Sequence, residues 1–418
     1  MSAPSLLPAS ELTRHPNGVR GLVRFGPDPL RELERLRDDG RALVPFSLGP
    51  MRCHLVTRPE DIRAVLHADW PPLSRGRLMA IDRWYSGGLI LTAGDEHDRQ
   101  RDDLWAPAVA VSPGPGIAAE RATELAEEWT GGEPVELFGA LRALCWSVEW
   151  ESLTGAPMPR ELVAAQERGV GAMVWLLGPF GDARWSWPLP SSARTRAARR
   201  RLDAAIDAEI AKRRREPSDD LLSILVARAD DDLVRATVKQ WLGADQLHAA
   251  LTWTLHLLAG HPEVEERFHA EVDAGDELPY TRRVLVEAMR LYPPIWGFFR
   301  ELTREMPVGE QLVPAGHVLA MSPWATHRDG RLWRRAEQFD PNRWAPGAVR
   351  PPEVSYFPFS AGPYGCPGHG LAMKEAVAIL AALGRRATFV PATRRPPRPV
   401  TTGTIAPRGG MRMRLVAR

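Results

Sequence analysis

From about residue 95 to 290, apolar residues recur at helical spacing in successive stretches over 117–129, 160–177, 192–215, 219–229, 233–260 and 262–274. Stripes of this kind are buried by packing helix on helix, so the middle of the chain is expected to be a helical body. The flanks read differently. Residues 27–40 (PDPLRELERLRDDG) form a helical pattern closed by Gly40, and ALVPFSLG and MRCHLVT read as two short strands about a turn at Gly49 and Pro50. Beyond Arg290, strand-like pieces such as LVPAGHVLAMS lie between prolines and loops, until KEAVAILAALGRR supplies one last amphipathic helix. The expected fold is mainly α with a minor β portion, a helical body with small antiparallel sheets. No period of 20 to 50 residues repeats, and the Pro/Gly-rich patches at 111–116 and 393–400 read as loops. One domain over 1–418 is expected, with about 1–26 as an N-terminal extension.

Charge narrows the partner class. The 54 basic and 52 acidic residues leave a net charge of +2, which gives no field of one sign for nucleic acid or an anionic membrane. The basic run at 194–215 is interspersed with alanines and acids and reads as a solvated helix face. Cys53, Cys145 and Cys366 are too few and too far apart for a disulfide framework or a paired metal-ligand spacing, which fits a reducing cytoplasm. The N-terminus MSAPSLLPASELTRHPNG lacks a basic start followed by an apolar core, and no apolar run of roughly eighteen residues occurs later. No membrane anchorage is expected.

The segment from Phe359 to Gly368, FSAGPYGCPG, combines a solitary cysteine with glycines that let backbone approach a flat ligand, directly before a helix starting near His369. The dipole and unpaired N–H groups of a helix N-terminus favour a thiolate there and would tune an iron bound to it. A buried cysteine in a turn is the equal alternative when this segment is taken alone.

The pattern Phe359-x-x-Gly362-x-x-x-Cys366-x-Gly368 resembles the haem-binding loop of the cytochrome P450 family. Other marks agree in order. Glu287 and Arg290 in VLVEAMRLYPP resemble the family's Glu-x-x-Arg helix, and FDPNRW resembles the downstream loop whose arginine, here Arg343, completes the ion-pair cluster. The resemblance covers roughly 27–418 and implies the family's fold, with haem b held through the thiolate of Cys366. It makes Glu287, Arg290 and Arg343 a structural set and assigns His97, Arg101 and Arg300 to the haem propionates. His97 and Arg101 sit four apart on one helical face, and a guanidinium fork suits a carboxylate. Tyr364 stands where the family usually has His or Arg, so one anchoring charge is replaced by a hydroxyl.

VKQWLGADQLHAALTWTLHLLAGHPEVEERF resembles the long central helix of the family followed by its His-Pro-Glu start of the next. Counting back from His261 and Pro262 places Gly243, Ala244, Asp245 and Gln246 on the family's Gly-x-acid-Thr element. Gly243 would leave room for dioxygen, Asp245 would take part in proton delivery, and Gln246 replaces the usual threonine. Thr252 and Thr254 lie one to two turns away and cannot take its place. His248, His256 and His261 lack a compact metal-binding spacing.

The resemblance implies a monooxygenase that takes electrons from NAD(P)H through a separate ferredoxin and ferredoxin reductase, with arginines forming the docking surface. Its substrate-contacting stretches, about 70–91, 172–188, 295–299 and 402–405, carry Trp70, Met79, Trp84, Tyr85, Trp175, Phe180, Trp296, Phe298 and Phe299. With Ala244 and Leu247 these point to a hydrophobic or aromatic natural-product intermediate. Gln246 motivates an alternative outcome: oxidative coupling, rearrangement or peroxide-driven chemistry. A haem-binding or gas-sensing protein without turnover is a further reading, opposed by Asp245 and the complete haem loop.

Overall fold

The computed structural model describes residues 15, 18–68, 82–176, 185–187, 189–243, 246–393 and 395–418, with the side chains of 173–176 excepted. The chain divides into two compact units: Met1–Ser74 with Glu287–Cys366, and Arg75–Val286 with Pro367–Arg418.

The first unit is built on a four-stranded sheet. Leu43–Leu48 and Met51–Val56 form a hairpin in register from Leu43↔Val56 to Leu48↔Met51, turning at Gly49 with φ 60°. Val318–Met321 adds beside the second strand in parallel, with Cys53 opposite Val318, and Phe298–Glu301 closes the sheet antiparallel to it. The sheet is therefore mixed, which departs from the expected antiparallel pairing. A parallel neighbour must come from a distant stretch of chain, and alternation within a short segment cannot reveal it. Both faces are covered. Leu43, Val56, Leu319 and Met321 pack with Ile62 and Leu66 on one side. On the other, Val44, Phe46, Leu55 and Ala320 pack with Phe25, Leu33 and Leu36. The strict alternation of partners is the period-two geometry of strands. Truncating a wholly buried side chain such as Leu55 to alanine would cost about 2–5 kcal/mol.

The second unit holds the helical body. Its helices include Gly114–Trp129, Leu137–Thr154, Arg160–Leu176, Pro190–Arg215, Pro262–Ala274 and His369–Arg386. Asp220 caps the helix Leu221–Arg228 by accepting from the Ser223 amide at 2.8 Å, and Arg213 grips both Asp220 and the Thr154 carbonyl. The expected single helix over 233–260 is two: Asp231–Gly243 and Leu247–Ala259. Gln246 precedes the second with φ −107° and ψ 5°, outside helical geometry. Apolar periodicity runs through the break because residues on both sides still face the core. A small sheet of Val135–Glu136, Arg412–Ala417 and Ala387–Pro391 completes the unit, and Trp253 donates to the Ile405 carbonyl at 2.9 Å.

Candidate functional site

In the first unit, the loop before Cys366 is set by backbone hydrogen bonds. The Cys366 amide donates to the Phe359 carbonyl at 2.9 Å, Gly365 to Gly362 at 3.0 Å, and Ser360 to Phe357 at 3.1 Å. Gly362 has φ +70°, and a Cβ there would run into the Leu66 carbonyl, so both conformation and space demand glycine. Cys366 is exposed, whereas Cys53 and Cys145 are buried in the cores of their units. The helix beginning at His369 follows, capped at Gly368. A thiolate at this loop can therefore be met by a ligand, which the other two sulfurs cannot without unpacking apolar neighbours.

Arg300 lies in the strand Phe298–Glu301, where alternation turns it inward to 3% exposure. Its Nη1 donates to the Phe299 carbonyl at 3.1 Å, its guanidinium carbon lies 5.5 Å from the centre of the Tyr364 ring, and its Nε is buried without a hydrogen-bond partner among the described residues. Burial pulls its pKa down to about 10, with Tyr364 opposing the shift. A desolvated guanidinium with a donor to spare fits a carboxylate such as a haem propionate. Haem therefore fits the residues present: an exposed sulfur on a glycine-shaped loop and an under-satisfied cation in the same unit.

Glu287 and Arg290 are wholly buried and joined by two bonds of 2.9 Å. Arg343 Nε adds a contact to Glu287 at 3.3 Å. Two partners of Glu287 escape sequence reasoning: the Trp344 indole, donating at 2.8 Å, and the Asp340 amide at 3.1 Å. Arg290 in turn donates to the carbonyls of His327, Ala336 and Gln338, so every face of the pair is satisfied. The adjoining Phe-Asp-Pro-Asn-Arg-Trp motif was the available signal for both extra contacts.

In the second unit, His97 is 4% exposed in the last turn of the helix Gly94–Arg99 and lies 3.2 Å from an Asp98 oxygen. Arg101 is half-buried in the π-helical stretch Gln100–Trp105 that follows, so the two residues do not share one regular α-helix as expected. The segment after Asp82 is fastened to the helix Asp231–Gly243. Buried Lys239 donates to the Trp84 carbonyl at 2.9 Å and pairs with Asp203, while Gln240 donates to the Gly87 carbonyl at 2.6 Å. Tyr85 occupies the space at Gly243, where a Cβ would collide with its hydroxyl, and burial raises its phenol pKa. The Gln246 Oε1 is buried with no hydrogen-bond partner among the described residues. Ala244 and Asp245 lie outside the described residues, as do Trp70, Met79 and Phe180, and the Trp175 side chain does as well. Thr252 and Thr254 spend their hydroxyls on the His248 and Ala250 carbonyls, both at 2.7 Å.

Among the substrate candidates, Trp84 is buried against Gly169, and Leu247 is buried at the start of its helix. In the first unit Trp296 and Phe299 meet edge to face at 5.7 Å, while Phe298 sits 6.2 Å from Phe357. No helix among the described residues is long and apolar enough to cross a membrane.

The chain is 31% identical to cyclooctatin synthase from Streptomyces melanosporofaciens, across 96% of each chain. It is also 31% identical to cyclooctat-9-en-7-ol 5-monooxygenase of the same organism, covering 86% of this chain and 84% of that protein. Pentalenene oxygenase from Streptomyces avermitilis is 28% identical over 93% of both. Among solved structures, a 6-coordinated cytochrome P450 from Thermus thermophilus superposes with a TM-score of 0.76 at 25% identity, covering 93% of this chain and 98% of that one. Retinoic acid bound cyanobacterial CYP120A1 reaches 0.79 at 20% identity, with 92% and 93% covered, which bears on the fold alone. Residues 179–411 match the family profile described as Cytochrome P450, and with a cysteine loop and a buried Glu287–Arg290–Arg343 cluster of the kind its signature implies, this chain belongs to the cytochrome P450 family and is a monooxygenase.

Proposed function

We propose that the chain oxygenates an apolar cyclic alkene or alkenol on the way to a natural product, with haem b held by Cys366. The observation that carries the haem assignment is Arg300, a buried guanidinium with a spare donor in the unit that also exposes Cys366. The substrate class rests on relatives whose names carry cyclooctat-9-en-7-ol and pentalenene, together with the aromatic side chains of Trp84, Tyr85, Trp296, Phe298 and Phe299. Thiolate-bound haem iron supplies activation of dioxygen for attack on a C–H or π bond. In this reading Cys366 binds the iron, Arg300 with His97 and Arg101 neutralises the propionates, and Tyr364 adds a single hydroxyl donor. Phe359, Gly362 and Gly368 shape the loop. Asp245 passes protons inward, and the Gln246 amide holds a water for it, since the nearby threonine hydroxyls are already bonded to backbone.

Electrons come from an external donor, as P450 chemistry requires, and we assign NAD(P)H, a ferredoxin reductase and a ferredoxin to that role. The absence of a disulfide among the three cysteines fits a cytoplasmic location. Coupling or rearrangement gains no support from the relatives, two of which are named as a monooxygenase and an oxygenase. The test is a panel of cyclic alkenes, alkenols and flat aromatics added to ferric protein, followed by turnover with ferredoxin, reductase and NADPH. Soret shifts and oxygenated products are expected from the cyclic alkenes. Binding and product confined to the flat aromatics would overturn the substrate class.

A further inference from the structure

We propose that His15, His54 and His317 form a transition-metal site, with Zn2+ as the reference cation, that ties His15 to the sheet of the first unit. One ring nitrogen from each lies within 4.8 Å of the other two. The sheet supplies two of the three: His54 is in the strand Met51–Val56, and His317 immediately precedes Val318, which pairs with Cys53 in parallel. His54 is 1% exposed and His317 is 8% exposed, so both imidazoles are withdrawn from water.

The hydrogen bonds leave this cluster short of partners. His15 Nδ1 lies 3.1 Å from the Phe46 carbonyl, so that nitrogen carries the proton and Nε2 offers a lone pair. That Nε2 is buried and has no hydrogen-bond partner among the described residues. Donation of the far ring N–H to a backbone carbonyl is the arrangement that orients metal-ligating histidines. His54 Nε2 and His317 Nδ1 stand 3.0 Å apart, one donating to the other, and in either tautomer His54 Nδ1 has no partner among the described residues. Two nitrogens bound about 2.0–2.1 Å from one tetrahedral ion lie roughly 3.3–3.4 Å apart, so this pair needs to open by only a few tenths of an ångström. His15 is set at right angles to both other rings, at centroid distances of 4.7 and 5.2 Å, while those two stack at 5.2 Å. Its remaining nitrogen thus approaches from a third direction.

Charge also shapes the choice of ion. All three ligands would be neutral imidazoles, the form that offers a lone pair to a metal ion. Arg52 is the nearby opposing charge, but it is exposed and therefore screened by water. Three imidazoles without a carboxylate disfavour Mg2+ and Ca2+ and suit Zn2+ or Cu2+.

The experiment is equilibrium dialysis of chelator-treated haem-loaded protein against Zn2+ in excess Mg2+, with zinc and iron measured by elemental analysis. One equivalent of zinc per chain is expected in the wild type. His15→Ala, outside the strands, should weaken it by more than about a hundredfold, beyond what losing an outer-shell partner costs, with iron content unchanged. His317→Gln should do the same, whereas His261→Ala, in the second unit, should retain the equivalent. Wild-type protein that binds no zinc above the level of His15→Ala, or loss of the equivalent in His261→Ala instead, would overturn the site.

Discussion

Arg290 grips Glu287 side on, Nε to Oε2 and Nη2 to Oε1 at 2.9 Å each, and neither side chain is exposed to solvent. Removing one partner strands the other as an uncompensated buried charge, which costs about 3–5 kcal/mol. Glu287→Ala also deprives the Trp344 indole and the Asp340 amide of their acceptor. Little folded, haem-containing protein is expected. Normal expression with full haem loading, measured by pyridine haemochrome, would contradict a structural role for the pair.

The three cysteines separate by exposure, so the thiolate assignment has a direct spectroscopic check. Replacing Cys366 with histidine should abolish the red-shifted Soret band of the ferrous–CO form, while Cys53→Ser and Cys145→Ser should keep it. A thiolate-type spectrum surviving in Cys366→His would require a different sulfur.

Arg300 carries a buried donor, Nε, with no partner among the described residues. A charge-assisted bond to a propionate is worth about 1.5–3 kcal/mol, so Arg300→Gln should speed haem loss roughly ten- to hundredfold. Arg300→Lys keeps the charge without the planar fork and should fall between. The check is the rate of haem transfer to an apoprotein scavenger, and equal rates in all three proteins would remove Arg300 from the propionate site.

Stability should fall in acid through the histidine cluster. Burial, followed by the neighbouring His15 and His317, lowers His54 from 6.5 to about 3. At neutral pH both folded and unfolded forms are uncharged at this ring. As pH drops below 6.5 the unfolded chain takes up a proton that the folded chain refuses, so stability is lost progressively down to about pH 3. His54→Gln should flatten the pH dependence of the urea midpoint across that window in metal-free protein. An unchanged slope would show that His54 titrates normally in the fold.

Gln246 has a buried amide oxygen with no partner among the described residues, and in the proposed function it stands in place of the family's threonine. If a water-bridged relay through Asp245 operates, Gln246→Thr should preserve or raise product per NAD(P)H oxidised, and Asp245→Asn should slow turnover. No change in either variant would mean that this stretch is remote from the oxygen site.

The parts of the site legible in sequence are those where local chemistry is compressed into a few adjacent residues. The loop from Phe359 to Gly368 states its own geometry, since Gly362 must accept a positive φ beside the Leu66 carbonyl. Glu287 and Arg290 are one helical turn apart, so their pairing follows from spacing. The unforeseen features depend on folding at long range or on backbone detail. His54 and His317 meet across 263 residues, through a parallel pairing that neither strand announces. The break before Leu247 was hidden because apolar residues continue across it, and periodicity reports which face is buried rather than whether the backbone hydrogen bonds are continuous. The change to π geometry at Gln100 leaves the same apolar residues inward and was equally silent.

The parallel pairing also bears on how the chain is made. The strand Met51–Val56 leaves the ribosome with its hairpin partner, but the strand that covers its other edge follows 265 residues later, counted from Cys53 to its partner Val318. At about 5–20 residues per second that edge waits roughly 13–50 seconds, exposing hydrogen-bonding groups flanked by Leu55 and Val56. During that interval the nascent hairpin is an open template for a neighbouring chain, so yield in a heterologous host should respond to translation speed and to chaperones that shield strands.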